Sequence, residues 1–265
     1  MDASYRSADD VVVLPSHLDV PGLGALIVNS FVLLANEPVL IDSGLAVDGP
    51  EFIDALRAVI DPEELKWIWL THDDADHSGN LQSVMDLAPN ARLATHGVGA
   101  LRQSTLWPLP LERVHALAPG DSLDLGDRVI RAVVPPTYDN PTSTGALDES
   151  TKSFFCVDSF GAILPSAVQD LNDLTDDELT GGMVAWIALD SPWTRLTDRS
   201  LFGRVLDDIR QLDPDRLFSA HLPASSGQVE QFLKVVASAP DADPFVPPDA
   251  TAFGAIVADI LARGV

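Results

Sequence analysis

The chain has 265 residues, of which 46% are hydrophobic, and its formal net charge is −24. This length and composition predict a globular protein with a sizeable core and argue against intrinsic disorder. The acidity is spread along the chain and argues against binding to nucleic acid or an anionic membrane, because both require clustered positive charge. No apolar run is long enough to span a membrane and the N-terminus lacks a signal-peptide profile, so we expect a cytoplasmic protein.

The first hundred residues alternate between apolar runs and amphipathic stretches, a pattern that predicts mixed α and β structure. Pro15 is expected to end the first strand, because proline cannot donate a backbone hydrogen bond. The predicted strands are 11–14, 25–34, 38–41, 65–70 and 91–94, and the predicted helices are 50–60 and 79–87.

The middle of the chain predicts mostly strands, at 114–117, 129–134 and 153–157, with a polar loop at 137–152. From residue 171 onward, helices dominate. The predicted helices are 176–190, 201–212, 227–238 and 250–263, and a strand at 216–220 runs into His221.

Four candidate metal ligands, His72, Asp74, Asp76 and His77, follow directly on the apolar strand at 65–70. If this loop is extended, the first three side chains project to one side, and His77 follows at the turn into a helix. Crowded carboxylates repel one another unless a cation or protons offset them. A helix cap or an acidic surface loop is the alternative, but two imidazoles beside the carboxylates favour a metal site.

Three more candidate ligands, Asp139, Asp158 and His221, follow other predicted strands. Singly, each would be read as a turn or surface residue, so only their joint placement at strand ends indicates a shared site. Asp42, at the end of the strand at 38–41, has two interpretations: a turn residue before Ser-Gly, or a residue that supports a metal ligand. The remaining histidines are interpreted as structural or surface residues: His17, His96 and His115.

The motif resembles the signature of the metallo-β-lactamase fold superfamily, and it reads Thr71-His72-Asp73-Asp74-Ala75-Asp76-His77-Ser78-Gly79. Two further stretches, 38–44 and 120–126, are similar to pieces of that family in the same order. The resemblance covers about residues 10–240. It implies an α+β fold, a four-layer αβ/βα sandwich of two mixed β-sheets flanked by helices. We expect residues 1–265 to form a single domain, with helix 250–263 as an extension.

Within the superfamily, a carboxylate at Asp74 and the stretch 154–161 are similar to the di-iron branch, which comprises flavodiiron and oxygen-binding di-iron proteins. This resemblance implies two metal ions bridged by Asp158. His72 and Asp74 would hold the first ion. The second would be held by Asp76, also our candidate catalytic residue, with His77 and His221. Asp139 aligns with a histidine of the branch and Asp74 with its longer glutamate, so the first site departs from the pattern.

The resemblance implies a metalloenzyme whose two metal ions, iron in preference to zinc or manganese, bind or reduce dioxygen or nitric oxide. It also implies a homodimer and an external electron donor that supplies the flavin. A first alternative is a hydrolase that attacks an ester, amide or thioester with a metal-bound hydroxide. A second is a metal-depleted scaffold that binds a ligand or partner. No other cofactor-binding residue is predicted.

Overall fold

The computed structural model describes residues 1–20, 22 and 24–263. Within these residues two mixed β-sheets pack face to face, and helices cover the outer surface of each sheet. The predicted α+β four-layer sandwich is therefore confirmed.

The first sheet is built mainly from the N-terminal half of the chain. Its strand order is β1-β2-β3-β4-β5-β6-β7, and β12 pairs with β3 beside this path. Its strands are antiparallel from β1 to β4 and parallel from β4 to β7. The bounds are β1 Tyr5–Ala8, β2 Val11–Val20, β3 Gly24–Leu33, β4 Val39–Ile41, β5 Trp67–Trp69, β6 Arg92–His96, β7 Val114–Leu117 and β12 Ile163–Leu164.

The second sheet has the order β14-β13-β11-β10-β9-β8. Only the β11–β13 pair is parallel, and the other neighbours are antiparallel. The bounds are β8 Ser122–Asp124, β9 Val129–Val133, β10 Gly145–Asp148, β11 Ser153–Phe155, β13 Arg216–Phe218 and β14 Ser225–Ser226.

The helices divide between the two outer faces of the sandwich. Buried side chains of α1, α3 and α4 pack on the first sheet, and those of α5, α6 and α7 pack on the second. The bounds are α1 Gly49–Val59, α2 Ala75–Ser78, α3 Leu81–Leu87, α4 Gly97–Gln103, α5 Asp176–Asp190, α6 Arg199–Gln211, α7 Val229–Ser238 and α8 Ala250–Arg263.

An aromatic cluster joins the two sheets at the centre of the sandwich. The ring of Phe31 lies edge-on to Phe155 and Phe218, with centroids 5.4 and 5.6 Å away. Phe155 and Phe218 stack at 4.8 Å. Each such pair stabilises the fold by about 0.5–1.5 kcal/mol beyond its buried area. The cluster therefore holds β11 and β13 against β3.

Two local predictions were wrong. Pro15 does not end its strand but lies inside β2, opposite Asn29. The backbone N–H of Asn29 points away from β2 and donates to the carbonyl of Ala220. Pro15 and Asn29 therefore form a pair without backbone hydrogen bonds between them, so the missing N–H of the proline does not weaken the pairing of β2 with β3. The polar loop predicted at 137–152 contains β10, which is held by pairing with β9 and β11.

Helix α8 exposes most of its side chains. The single domain over residues 1–265, with α8 as its extension, stays a prediction. Among the described residues, every helix is too short or too polar to cross a bilayer.

Candidate metal centre

The ends of four strands meet at one rim between the two sheets. In the second sheet, β9, β11 and β13 run in the same direction, because β11 is parallel to β13 and β10 is antiparallel to both β9 and β11. Their carboxyl ends lead to Asp139, Asp158 and His221, and the end of β5 in the first sheet leads to His72. The candidate ligands that follow these strands in the sequence therefore lie close together in the folded protein.

The motif loop is extended only as far as Asp74. That residue precedes the short helix α2, whose turn carries Asp76 and His77. The expectation that His72, Asp74 and Asp76 project to one side was wrong, because the chain turns helical at Ala75. This turn separates the two carboxylates: Asp74 lies near His72, and Asp76 lies near His77.

Asp158 lies at the centre of the cluster, and its two carboxylate oxygens face different ways. Its Oδ1 is 3.0 Å from His77 Nε2 and 3.1 Å from His221 Nε2. Its Oδ2 is 3.6 Å from His72 Nε2. One carboxylate thus presents an oxygen to each of two groups of side chains.

The first group gathers around His72, whose Nε2 lies 4.0 Å from Asp74 Oδ2 and 3.8 Å from Asp139 Oδ1. The ligand atoms of these three residues lie within 4.8 Å of one another. The second group gathers around Asp76, whose Oδ2 lies 3.6 Å from the Nε2 atoms of His77 and His221. All seven residues predicted as ligands therefore meet at this rim, while their role as ligands stays a prediction.

Neighbouring groups orient two of the imidazoles. Asp42, in the left-handed region at φ +58°, accepts a hydrogen bond from His77 Nδ1 at 2.8 Å. The carbonyl of Ile27 accepts one from His221 Nδ1 at 2.7 Å. Since each Nδ1 then carries the proton, each Nε2 is left as the atom that can bind a metal. The supporting role predicted for Asp42 matches this contact.

Charges within the cluster shift the histidine and bridging carboxyl pKa values. Burial alone would lower the pKa of His77, but Asp76, Asp42 and Asp158 raise it well above its usual value. Burial would raise the pKa of Asp158, but His72 and His77 hold it well below its usual value. The pKa of His72 is lowered by burial and by the neighbouring His77. Asp158 is therefore an anion surrounded by imidazoles.

Two carboxyl groups on this side of the cluster, those of Asp139 and the neighbouring Asp190, show the opposite behaviour. Burial and the nearby charges of Asp158 and Asp190 raise the pKa of Asp139 to about 8. Burial and Asp158 raise the pKa of Asp190 to about 7, although a hydrogen bond from Ser191 opposes the shift. In the absence of a cation, this side of the cluster therefore retains protons at neutral pH.

The cluster fits metal ions better than it fits a closed hydrogen-bond network. Two of its buried atoms, His77 Nε2 and Asp158 Oδ2, have no hydrogen-bond partner, although His77 Nε2 lies 3.0 Å from Asp158 Oδ1. Unpaired buried polar atoms are costly, so a ligand for them is expected. Imidazole and carboxylate donors without thiolates suit iron, manganese or zinc.

Two residues near the cluster were missed from the sequence. Asp190, the last residue of α5, has a ligand atom within 4.8 Å of those of Asp139 and Asp158. Asn140 donates a hydrogen bond to Asp74 Oδ1 at 2.8 Å and so holds that carboxylate in place. Neither belongs to a motif, although Asn140 adjoins a predicted ligand.

The other histidines lie outside the metal-binding groups found among the described residues, in line with their structural interpretation. His96 caps α4 by accepting the N–H of Val98 at 3.2 Å. The ring of His115 lies edge-on to Trp67, with centroids 5.5 Å apart. His17 lies 3.2 Å from the carboxylate of Asp2.

Trp186 and Gly161 pack directly behind the second group. The indole N–H of Trp186 donates to the carbonyl of Asp158 at 3.0 Å, and its ring lies 4.6 Å from that of His221. A Cβ on Gly161 would lie 2.7 Å from His221 Cβ and from Trp186 Nε1. Residue 161 must therefore lack a side chain if Asp158 and His221 are to keep this spacing.

Comparison with known proteins agrees with the fold. Residues 23–149 match the metallo-beta-lactamase superfamily. Flavo-diiron protein FprA2 of Clostridium acetobutylicum is 25% identical over 134 residues, which cover 50% of this chain and 34% of that protein. The chain thus spans about a third of the length of this relative.

Solved structures share the architecture across most of the chain. A variant of the flavo di-iron protein from Thermotoga maritima has a TM-score of 0.79 at 19% identity, covering 91% of this chain and 62% of that one. Rubredoxin oxygen:oxidoreductase from Desulfovibrio gigas has a TM-score of 0.74 at 17% identity, covering 90% and 61%. At this identity the likeness shows the fold. Together, the sequence match and the shared architecture show that the chain has the metallo-β-lactamase fold and is similar to flavo-diiron proteins.

Proposed function

We propose that the chain holds two iron ions at this rim and uses them to bind and reduce a small molecule, dioxygen or nitric oxide. The observation that carries the proposal is Asp158, whose two oxygens face His72 on one side and His77 with His221 on the other. That arrangement suits a carboxylate bridging two ions. The likeness to flavo-diiron proteins supports iron as the metal.

In this proposal, His72, Asp74 and Asp139 hold the first ion, and Asp76, His77 and His221 hold the second. The two sets differ in character, because the first has one imidazole and the second has two. The side chain of Asp76 is 26% exposed, whereas those of His77 and His221 are each 1% exposed. Among the three residues proposed for the second ion, Asp76 is therefore the one open to solvent, and we keep it as the catalytic candidate.

Two iron ions held by these residues would supply the electrons for reducing the small molecule. The hydrogen bonds that Asp42 and the Ile27 carbonyl accept hold a proton on Nδ1 of His77 and His221, so Nε2 would be the nitrogen that faces an ion. The protein shields the second group from water, since His77 and Asp158 are almost fully buried. Shielding strengthens the electrostatic hold of Asp158 on both ions.

Manganese and zinc are the alternative metals. Cys156 is not a competing ligand, because it is buried and its thiol contacts the carbonyl of Ser159. Nitrogen and oxygen donors alone do not distinguish iron from manganese. The metal content of the protein from its native host decides between them.

The proposal extends to the partners of the site. One similar structure is named as an oxidoreductase of rubredoxin and oxygen, and by analogy an external donor would supply electrons to this chain. We also propose a homodimer and a cytoplasmic location. Light scattering of the purified protein and cell fractionation test these two points.

Elemental analysis of untagged protein, followed by anaerobic reduction and addition of dioxygen or nitric oxide, tests the function. We expect two irons per chain and consumption of the added gas. His77→Ala should lose iron and gas consumption, while the matched control His96→Ala retains both. Fewer than about one iron per two chains, with His72→Ala unchanged, would indicate a metal-depleted scaffold. Zinc-supported turnover of esters without reaction with either gas would indicate the hydrolase.

A further inference from the structure

Asp190 reaches the first group from a different part of the fold. It is the last residue of α5, a 15-residue helix on the outer face of the second sheet. One of its carboxylate oxygens lies within 4.8 Å of ligand atoms of both Asp139 and Asp158. Since Asp139 also belongs to the group around His72, Asp190 adjoins the first group through Asp139.

The position of Asp190 does not favour its negative charge, apart from the nearby imidazoles of His77 and His221. The last turn of α5 contains no basic residue. The C-terminal end of a helix carries a partial negative charge, which disfavours a carboxylate. In the described part of the chain, neither Asp139 nor Asp190 pairs with a lysine or arginine side chain, and the sole partner of Asp190 is the Ser191 hydroxyl at 2.9 Å.

A separate observation points to a bound cation at the same place. Asp158 is 2% exposed, and its Oδ2 has no hydrogen-bond partner. This oxygen faces the His72 side, at 3.6 Å from Nε2, while Oδ1 is engaged with His77 and His221. An ion at the first site would satisfy Oδ2 and offset the repulsion among the carboxylates around it.

We propose that Asp190 is a further ligand of the first metal, so that four carboxylates and one imidazole surround that ion: Asp74, Asp139, Asp158, Asp190 and His72. This inference rests on the dinuclear site proposed above. Oxygen-rich ligation favours hard divalent ions, so the first site prefers Mn²⁺ or Fe²⁺ relative to Zn²⁺ more strongly than the second site does. Asp190 would then be the residue that makes the two sites unequal.

The test compares Asp190→Asn and Asp190→Ala with Asp208→Asn, an exposed carboxylate on α6. Metal-free full-length protein is titrated with Fe²⁺, Mn²⁺ and Zn²⁺ without oxygen. We expect the Asp190 variants to keep one tightly bound ion and to bind the other about 10–100-fold more weakly, since the loss of even an outer partner costs that much. Mn²⁺ affinity should fall more than Zn²⁺ affinity, and Asp208→Asn should match the unsubstituted chain.

Two further readouts separate ligation from a structural role. The visible absorption of Co²⁺ bound at the first site should differ between the Asp190 variants and the unsubstituted chain, because this absorption depends on the number of ligands. Removal of one of several mutually repelling charges should leave the melting temperature of the metal-free protein unchanged or raised, whereas a structural residue would lower it. If the Asp190 variants bind two ions with unchanged affinity and show an unchanged Co²⁺ spectrum, Asp190 is not a ligand, but the proposed dinuclear site still stands. An unsubstituted chain that never binds two ions would overturn the dinuclear site as well.

Discussion

The substitution Asp42→Asn tests how the second metal site is prepared. Asp42 is 2% exposed, so water does not compete for its oxygens. Its Oδ1 accepts the backbone N–H of Thr71 at 2.8 Å. Its Oδ2 accepts the Thr71 hydroxyl and His77 Nδ1, both at 2.8 Å. The two oxygens therefore have different requirements.

The side-chain amide of an asparagine at position 42 can adopt only one orientation in this hydrogen-bond network. Its carbonyl oxygen must face the Thr71 N–H, because a backbone N–H can only donate, and its NH₂ group then faces His77 Nδ1. Because the amide donates, Nδ1 must accept, and the imidazole proton moves to Nε2, the atom that faces Asp158. A protonated Nε2 cannot bind a metal. We expect the affinity for the second ion to fall roughly 10–100-fold, about 1.4–2.7 kcal/mol.

The assay is anaerobic titration of the metal-free chain with Fe²⁺, combined with ¹⁵N NMR of the His77 ring to identify the protonated nitrogen. Asp124→Asn is the matched control, because that exposed carboxylate accepts only the N–H of Gly126, which an amide oxygen can also accept. The first ion should bind almost normally in Asp42→Asn, since His72 Nδ1 lies near Thr71 rather than Asp42. Unchanged affinity for both ions, or a proton still on Nδ1 of His77, would refute this reasoning.

Three other predictions concern acidity, ligand type and packing. Because the pKa values of Asp139 and Asp190 are raised to about 8 and about 7, the folded metal-free protein holds protons that the unfolded chain has lost. The contribution of these two groups to stability is therefore greatest below about pH 4 and should fall by about 1–2 kcal/mol between pH 4 and pH 8, after allowance for the exposure of Asp139; denaturant unfolding with a chelator present checks this, and a flat or rising curve contradicts it. Asp139→His supplies an imidazole to the first site and should raise its Zn²⁺ affinity relative to Mn²⁺, measured by competition titration; an unchanged ratio would show that residue 139 does not contact the ion. Gly161→Ala places a methyl group 2.9 Å from the carbonyl of Asp158 and should destabilise the fold by roughly 1–3 kcal/mol and weaken binding of the second ion, whereas Gly203→Ala, with open space around it, should do neither.

The part of the site that lies close together in sequence was the most predictable. His72, Asp74, Asp76 and His77 occupy one loop after a buried strand, so their proximity needed no knowledge of the fold. Their division between two groups was predicted from the family resemblance and not from the residues alone, because it depends on the helical turn that begins at Ala75.

The residues contributed by distant segments were candidates because they follow strands, but their assignment to two ions came from the family resemblance. Asp158 and His221 each follow a strand, but the register that brings β11 beside β13 is a tertiary feature. Asp190 was missed because a single aspartate at the end of a helix carries no local signal. Its role depends on where α5 ends relative to the rim.

The strand errors have the same origin. The β10 segment reads Gly-Ala-Leu-Asp, with no aromatic or β-branched residue, so intrinsic preference argued for a loop. Its neighbours β9 and β11 provide the hydrogen bonds that make it a strand. Pro15 is tolerated inside β2 because of the direction in which the opposite N–H points, which composition does not reveal.

The indole of Trp186 gives the protein a built-in optical probe. Because its ring lies 4.6 Å from that of His221, an open-shell ion bound to that histidine would quench its fluorescence, whereas closed-shell Zn²⁺ would not. The emission of a Trp186→Phe variant would supply the background from the remaining tryptophans. Filling of the second site could then be followed in real time, without label or substrate, and separately from filling of the first.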